Sequence, residues 1–84
     1  MPIIPDRTPN PNALKFTVGV PVGGPATHVR GGETDDPTAA ALLELPDVSS
    51  VFMTADFVTV TKSPDGDWDT IIPQAIEILE ARFG

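Results

Sequence analysis

The chain has 84 residues, 40% of them hydrophobic, with 12 acidic side chains against five Lys and Arg, one histidine and no cysteine. That length allows one domain with one modest core, since a chain of this size buries roughly 60–65% of the surface it exposes when unfolded, and the apolar content is too high for a disordered segment. A formal net charge of −7 repels phosphate backbones and anionic lipid, which argues against nucleic-acid and membrane partners. Without cysteine the chain forms no disulfide, no thiolate nucleophile and no Cys-ligated metal or cluster. A single histidine excludes a two-histidine site built from one copy. No apolar run approaches the ~20 residues of a membrane span, and the start "MPIIPDRTP" lacks the regions of a secretory signal. The expectation is one domain over residues 1–84, cytoplasmic and monomeric. Its acid excess reads first as a device for solubility and second as favouring a partner with a basic patch.

In chain order, Ile3 and Ile4 start a short strand that Pro5 and Asp6 close. Along "ALKFTVGV" (Ala13 to Val20), Leu14, Phe16 and Val18 fall on one face and Lys15 and Thr17 on the other, the period of a half-buried strand. Residues 22–33, "VGGPATHVRGGE", hold four of the seven glycines and read as a flexible connector, although "THVR" offers a short edge strand. Their glycines match neither a P-loop nor the GxGxxG spacing. Asp36 followed by Pro37 fits an N-cap and first helical position, and "TAAALLEL" continues as a short helix that Pro46 stops. Its apolar face comprises Ala39, Leu42, Leu43 and Leu45.

"VSSVFMTADFVTVTK" reads as a hairpin. With Ala55-Asp56 at the tip, Met53 opposes Val58 and Val51 opposes Val60 on one face, and Phe52 and Thr59 share the other. Ala-Asp is not the usual pair for a tight primed turn, which allows a longer loop. "DWDTIIPQAIEILEARF" then places Trp68, Ile71, Ile72, Ala75, Ile76, Leu79 and Phe83 at helical spacing after an Asp67 cap. Pro73 inside it predicts a kink or the helix's true start. The order strand, strand, helix, strand, strand, helix predicts an α+β fold in two layers, with two helices on one face of a small, mainly antiparallel sheet.

No chemistry-bearing constellation emerges. Asp65, Asp67 and Asp69 alternate as in a calcium loop, but the sixth and twelfth positions counted from Asp65 are Thr70 and Ile76, not Gly and Glu. A turn, a cap and a first-turn acid account for them. Glu33, Asp35 and Asp36 offer oxygen ligands for weak iron or magnesium binding, against a plainer reading as cap and solvated loop. His28 has no adjacent nucleophile or evident pocket, and Ser49, Ser50 and Ser63 lack a nucleophile-elbow pattern. Nothing in the pattern supports an enzyme.

Taken together, "TPNPNALKF", "DVSSVFMTADFVTVTK" and "DWDTIIPQAIEIL" resemble the N-terminal domain of the Nfu/NifU-type iron–sulfur scaffold proteins, over nearly the whole chain except the loop 22–36. At the hairpin tip this chain has Thr54-Ala55-Asp56-Phe57 where that family has a Gly-Pro-Asp-Phe-like sequence. The family's cluster chemistry resides in a separate Cys-x-x-Cys domain. The resemblance therefore implies an adaptor in iron–sulfur cluster assembly or delivery, contacting a scaffold, carrier or recipient apoprotein, with iron or a cluster reached only through that partner.

The candidate contact residues are Thr8, Pro9, Asn10, Pro11 and Asn12, with Asp56 and Phe57 at the hairpin tip. Pro9 and Pro11 hold Thr8 and Asn10 extended, and Asn10 and Asn12 either cap local backbone or present amides outward. Such a stiff loop either aims the Leu14–Val18 strand or serves as a docking surface that loses little entropy on binding. Two further readings stay open: weak carboxylate iron binding, and an interaction domain that reuses the fold elsewhere.

Overall fold

A computed structural model describes residues 3–32 and 34–83. The elements run β1 (Ile4–Arg7), β2 (Ala13–Thr17), β3 (Ala26–Val29), α1 (Pro37–Leu43), β4 (Val48–Thr54), β5 (Phe57–Lys62) and α2 (Trp68–Phe83). All the strands join one antiparallel sheet in the order β1-β2-β5-β4-β3. Period-two alternation sorts its side chains: Leu14, Phe16, Val51, Met53, Val58 and Val60 are buried on one face with Ala39, Leu42, Ile71, Ala75 and Leu79 of the helices. Each large aliphatic or aromatic side chain buried this way contributes about 1.5–3 kcal/mol relative to exposure. The opposite face, with Lys15, Thr17, Phe52, Thr54, Phe57 and Thr59, is only half-buried and has no helix over it.

The hairpin register is the expected one, with Met53 opposite Val58 and Val51 opposite Val60. The loop is also no longer than two residues: Thr54 pairs directly with Phe57, and Ala55 takes φ +49 to close the turn. One irregularity lies in β4, where the register shifts between Val48 and Ser50. That bulge lets Val48 and Val51, three residues apart, both point into the core.

Three expectations need correction. Residues 22–33 are not merely a flexible connector: the edge strand that "THVR" offered forms as β3, Ala26–Val29, beside β4, with Ala26 opposite Met53 and His28 opposite Val51. Gly24 makes the approach possible: it has φ +94, and a Cβ there would run into the Met53 carbonyl. Nor does the first strand close at Pro5, since β1 runs on to Arg7. It lies at the sheet edge, where proline's missing N–H is tolerated. Pro73, finally, does not mark the start of α2. Asp67 caps that helix, its Oδ1 accepting the Asp69 N–H at 2.9 Å, and Pro73 lies within it. Only the bond to the Asp69 carbonyl is lost, and the side chain of the next residue, Gln74, donates to the Thr70 carbonyl at 2.9 Å. The shorter helix α1 starts as the sequence indicates, with Asp36 Oδ1 accepting from Thr38 N–H at 2.8 Å and Ala39 N–H at 3.2 Å.

Ala55 occupies a backbone region that an L side chain adopts at a cost. Ala55→Gly is therefore expected to stabilise the protein by about 0.5–1 kcal/mol, read from the urea midpoint at unchanged denaturant slope. A loss of stability would show that the turn does not hold this conformation in solution.

Candidate functional site

The Thr8–Asn12 loop joins edge strand β1 to β2, and its own side chains shape it first. Thr8 Oγ1 accepts the Asn10 N–H at 3.1 Å and lies 2.9 Å from the Asn10 carbonyl and 3.0 Å from that of Ala13, so its one hydrogen serves either. Asn10 Oδ1 accepts the Asn12 N–H at 2.9 Å, and the Asn10 carbonyl accepts the Ala13 N–H at 3.0 Å. Distant residues then fasten the loop to the fold. Lys62 at the end of β5 donates its backbone N–H to the Asn12 carbonyl at 2.8 Å, and its Nζ donates to Asn12 Oδ1 at 3.0 Å and the Ser63 carbonyl at 3.3 Å. Trp68 Nε1–H, in the first turn of α2, donates to the Pro11 carbonyl at 3.1 Å. The Lys62 ammonium also lies 5.8 Å from the Trp68 ring centroid, within cation–π reach.

Between this loop and α2 lies a cleft of about 450 Å³. Ala13, Leu14 and Ile72 make it apolar, while Pro9, Asn10, Pro11 and Trp68 wall it. Arg7 and Asp69 add opposite charges. The cleft thus mixes an apolar floor with polar and charged groups at its rim. The loop's hydrogen bonds hold it against the start of β2, and its prolines line one side of the cleft.

Asp56 and Phe57 do not join this cleft. In the pairing of β2 with β5, Ala13 opposes Thr61 at the loop end and Thr17 opposes Phe57 at the other, four residues or about 13 Å along the strand. The Asp56 carbonyl accepts the Val18 N–H at 2.8 Å, and its side chain is exposed. Phe57 is half-buried on the helix-free face, under the Lys15 ammonium at 4.3 Å from the ring centroid.

Among the acidic candidates, Asp36 and Asp67 are engaged as helix caps, and Glu33 lies outside the described residues. His28 Nδ1 is 2.7 Å from Thr34 Oγ1. Among the described residues no three His, Asp or Glu side chains come together to hold a metal ion. The chain also supplies no thiolate for an iron–sulfur cluster; its residues do not fit that group as a resident cofactor. Sequence reasoning missed Lys62 altogether; it placed Trp68 in the core or at its edge, where it packs, but not its bond to the loop. A signal was present for Lys62, which continues the alternation Val58, Val60, Lys62 onto the core face, where a buried ammonium needs acceptors.

The fold is that of a small α+β domain, a five-stranded antiparallel sheet with two helices on one face and a cleft at its edge. The chain belongs to the Nfu/NifU N-terminal family: the family model described as "Scaffold protein Nfu/NifU N terminal" matches residues 3–84. A NifU-like protein of Schizosaccharomyces pombe is 34% identical over 79 residues, covering 88% of this chain and 30% of that protein. The Drosophila ananassae protein named NFU1 iron-sulfur cluster scaffold homolog, mitochondrial, is 38% identical over 80 residues, with coverages of 90% and 28%. NifU-like protein 5, mitochondrial, of Arabidopsis thaliana is 37% identical over 75 residues, with coverages of 86% and 27%. The chain thus spans less than a third of the length of these relatives. Among solved structures, the crystal structure of protein SAV1430 from Staphylococcus aureus superposes with a TM-score of 0.77 at 28% identity, covering 93% of this chain and 98% of that one. A solution structure of a NifU-like protein from Saccharomyces cerevisiae gives 0.71 at 28% identity, with coverages of 95% and 76%.

If Lys62 fastens the loop, Lys62→Met is expected to leave global stability within about 1 kcal/mol, because a buried charge and its hydrogen bonds are lost together. Amide exchange at Asn12 and Ala13 should nevertheless accelerate about ten-fold or more as the loop opens locally. Unchanged exchange would mean that the prolines and the Asn10 turn suffice to hold the loop.

Proposed function

We propose that this chain is a non-catalytic adaptor in iron–sulfur cluster assembly or delivery. It binds a scaffold, a cluster carrier or a recipient apoprotein through protein contact and ligates no cluster itself. The observation that carries the reading is the match to the scaffold family over residues 3–84 in a chain without cysteine. Iron and clusters are then cargo held by the partner. The proposed contact surface is the loop Thr8, Pro9, Asn10, Pro11 and Asn12 together with the cleft beside it that Trp68 walls, with Asp56 and Phe57 as a separate second contact. A prefastened loop supports it, since docking a rigid wall forfeits little conformational freedom. Carboxylate-based iron binding is the weaker reading, because Asp36 and Asp67 already accept backbone N–H groups. Monomeric, cytoplasmic action belongs to the same proposal. No described helix is long and apolar enough to cross a membrane, whereas the Drosophila and Arabidopsis relatives carry "mitochondrial" in their names.

The test is an anaerobic pull-down from native extract with tagged wild-type protein, a Pro9→Ala/Pro11→Ala variant and Phe57→Ala, with captured proteins identified by mass spectrometry and iron measured. The wild type is expected to retain cysteine-rich assembly proteins or apo-recipients. The proline variant should retain several-fold less, through the freedom its loop regains. Retention of only proteins unrelated to iron–sulfur metabolism would overturn the assignment, and stoichiometric iron on the isolated chain would overturn its non-ligating part.

A further inference from the structure

The cleft forms a groove between the end of edge strand β1 and the flank of α2, lined from Arg7 and Leu14 across to Asp69 and Ile72. The register places Pro5 and Arg7 of β1 opposite Phe16 and Leu14, on the sheet face that carries the helices, yet both are exposed. The helices therefore leave this face bare at Pro5 and Arg7, although Ile3, just before β1, is buried in the core. On the flank of α2, Ile72, Ile76 and Phe83 are partly buried against the core, and Ile72 continues into the cleft. At 100° per residue, Asp69, Pro73, Glu77 and Glu80 form the adjoining stripe, and all are exposed. No base on the helix balances them there: Arg82, its only one, stands in the last turn with its guanidinium 5.2 Å from the Phe83 ring centroid. Lys62 is buried and committed to the loop.

Resting on the adaptor reading for the existence of a protein partner, we propose that this groove receives a basic polypeptide segment with an apolar anchor. The anchor lies among Pro9, Pro11, Trp68 and Ile72, and Lys or Arg side chains of the partner meet Asp69, Glu77 and Glu80. Two features select this occupant. Asp69 and Glu77 are separated by eight residues of helix, about 12 Å along its axis, too far to share one metal ion but well matched to successive basic side chains of a segment lying alongside. The prolines and the tryptophan offer rigid apolar surface of the kind that anchors an interface. Arg7, on the other side, fixes the orientation by repelling the partner's cationic side toward α2.

The probes are acetylated synthetic peptides of equal length with leucines at identical positions, one carrying Lys elsewhere and the other Glu, plus a Lys peptide with its leucines changed to Ser. Each is titrated into the purified, 15N-labelled full chain while the indole N–H of Trp68, the only tryptophan, is followed. The Leu/Lys peptide is expected to shift that resonance saturably. Its affinity should fall at least about five-fold in the exposed-site variant D69N/E77Q/E80Q, and also between about 50 and 300 mM salt. The Ser/Lys peptide should bind more weakly and the Leu/Glu peptide should not bind.

Equal binding of the Leu/Lys and Leu/Glu peptides, wild-type affinity in the triple variant, or saturation without response at Trp68 would each overturn the proposal. Well-dispersed spectra of the variant establish that it is folded. The titration contains no iron–sulfur protein, so its failure leaves the adaptor reading standing with a partner of other chemistry. Success here with a failed pull-down would instead place the partner outside iron–sulfur metabolism.

Discussion

Everything in this small domain is referred to β5. It is the middle strand of the five, and its side chains Val58 and Val60 are fully buried. They meet Phe16 and Leu14 of β2 on one side and Met53 and Val51 of β4 on the other. A slip of one residue in either pairing would turn an apolar row out to water; the two-residue turn at Ala55-Asp56 sets the register of β4, and burial of Leu14 and Phe16 sets that of β2. The next residue of the same row is Lys62, at the point where the strand leaves the apolar layer. Its ammonium is carried to Asn12 by the alternation that buries the valines. The site is thus fixed by the core's own pairing.

That dependence separates what the cleft owes to local sequence from what it owes to the fold. The prolines, the Asn10 turn and the Thr8 hydroxyl shape the loop within a few residues. Its fastening comes from much farther along the chain, at separations of 50 residues for Lys62 to Asn12 and 57 for Trp68 to Pro11. Neither partner has reached the loop until β2 lies against β5 and α2 has packed on the sheet. Loss of the cleft by local opening and loss of the fold are consequently different events, and a substitution at Lys62 separates them.

The same division explains what could be read in advance. Alternation in β2, β4 and β5 disclosed the core face residue by residue, because a strand with one buried face leaves its period in the sequence. The caps at Asp36 and Asp67 were legible for a similar reason, since a capping carboxylate acts within three residues. Strand β3 was harder: Ala26–Val29 is a short edge strand between glycine-rich turns, and its pairing depends on Gly24 passing close to Met53, which no local pattern announces. Pro73 misled in the other direction, for a proline early in a long packed helix removes one bond that burial of Ile71, Ala75 and Leu79 outweighs. The stiff proline loop stood out as a feature, but not its partners across the fold. Thr8–Asn12 and Asp56-Phe57 could not be separated from sequence either, since only the register shows them at opposite ends of β2.

The groove beside α2 lies at a sheet edge that the helices leave bare. Two helices side by side cover about 20–24 Å and five strands at about 4.8 Å occupy about 24 Å, so any offset of the helix pair uncovers one edge. Which edge is decided by packing. Helix α1 contacts β4 and α2, and half-buried Ala26 and His28 of β3 lie on that side, whereas every residue of β1 is exposed. A core this small has no interior to hollow into a pocket, so a concave surface has to form at the margin where coverage ends. The Thr8–Asn12 loop closes that margin at one end with rigid prolines, and Trp68 seals the corner. Of the acids of α2, Asp69 stands at that margin beside Ile72.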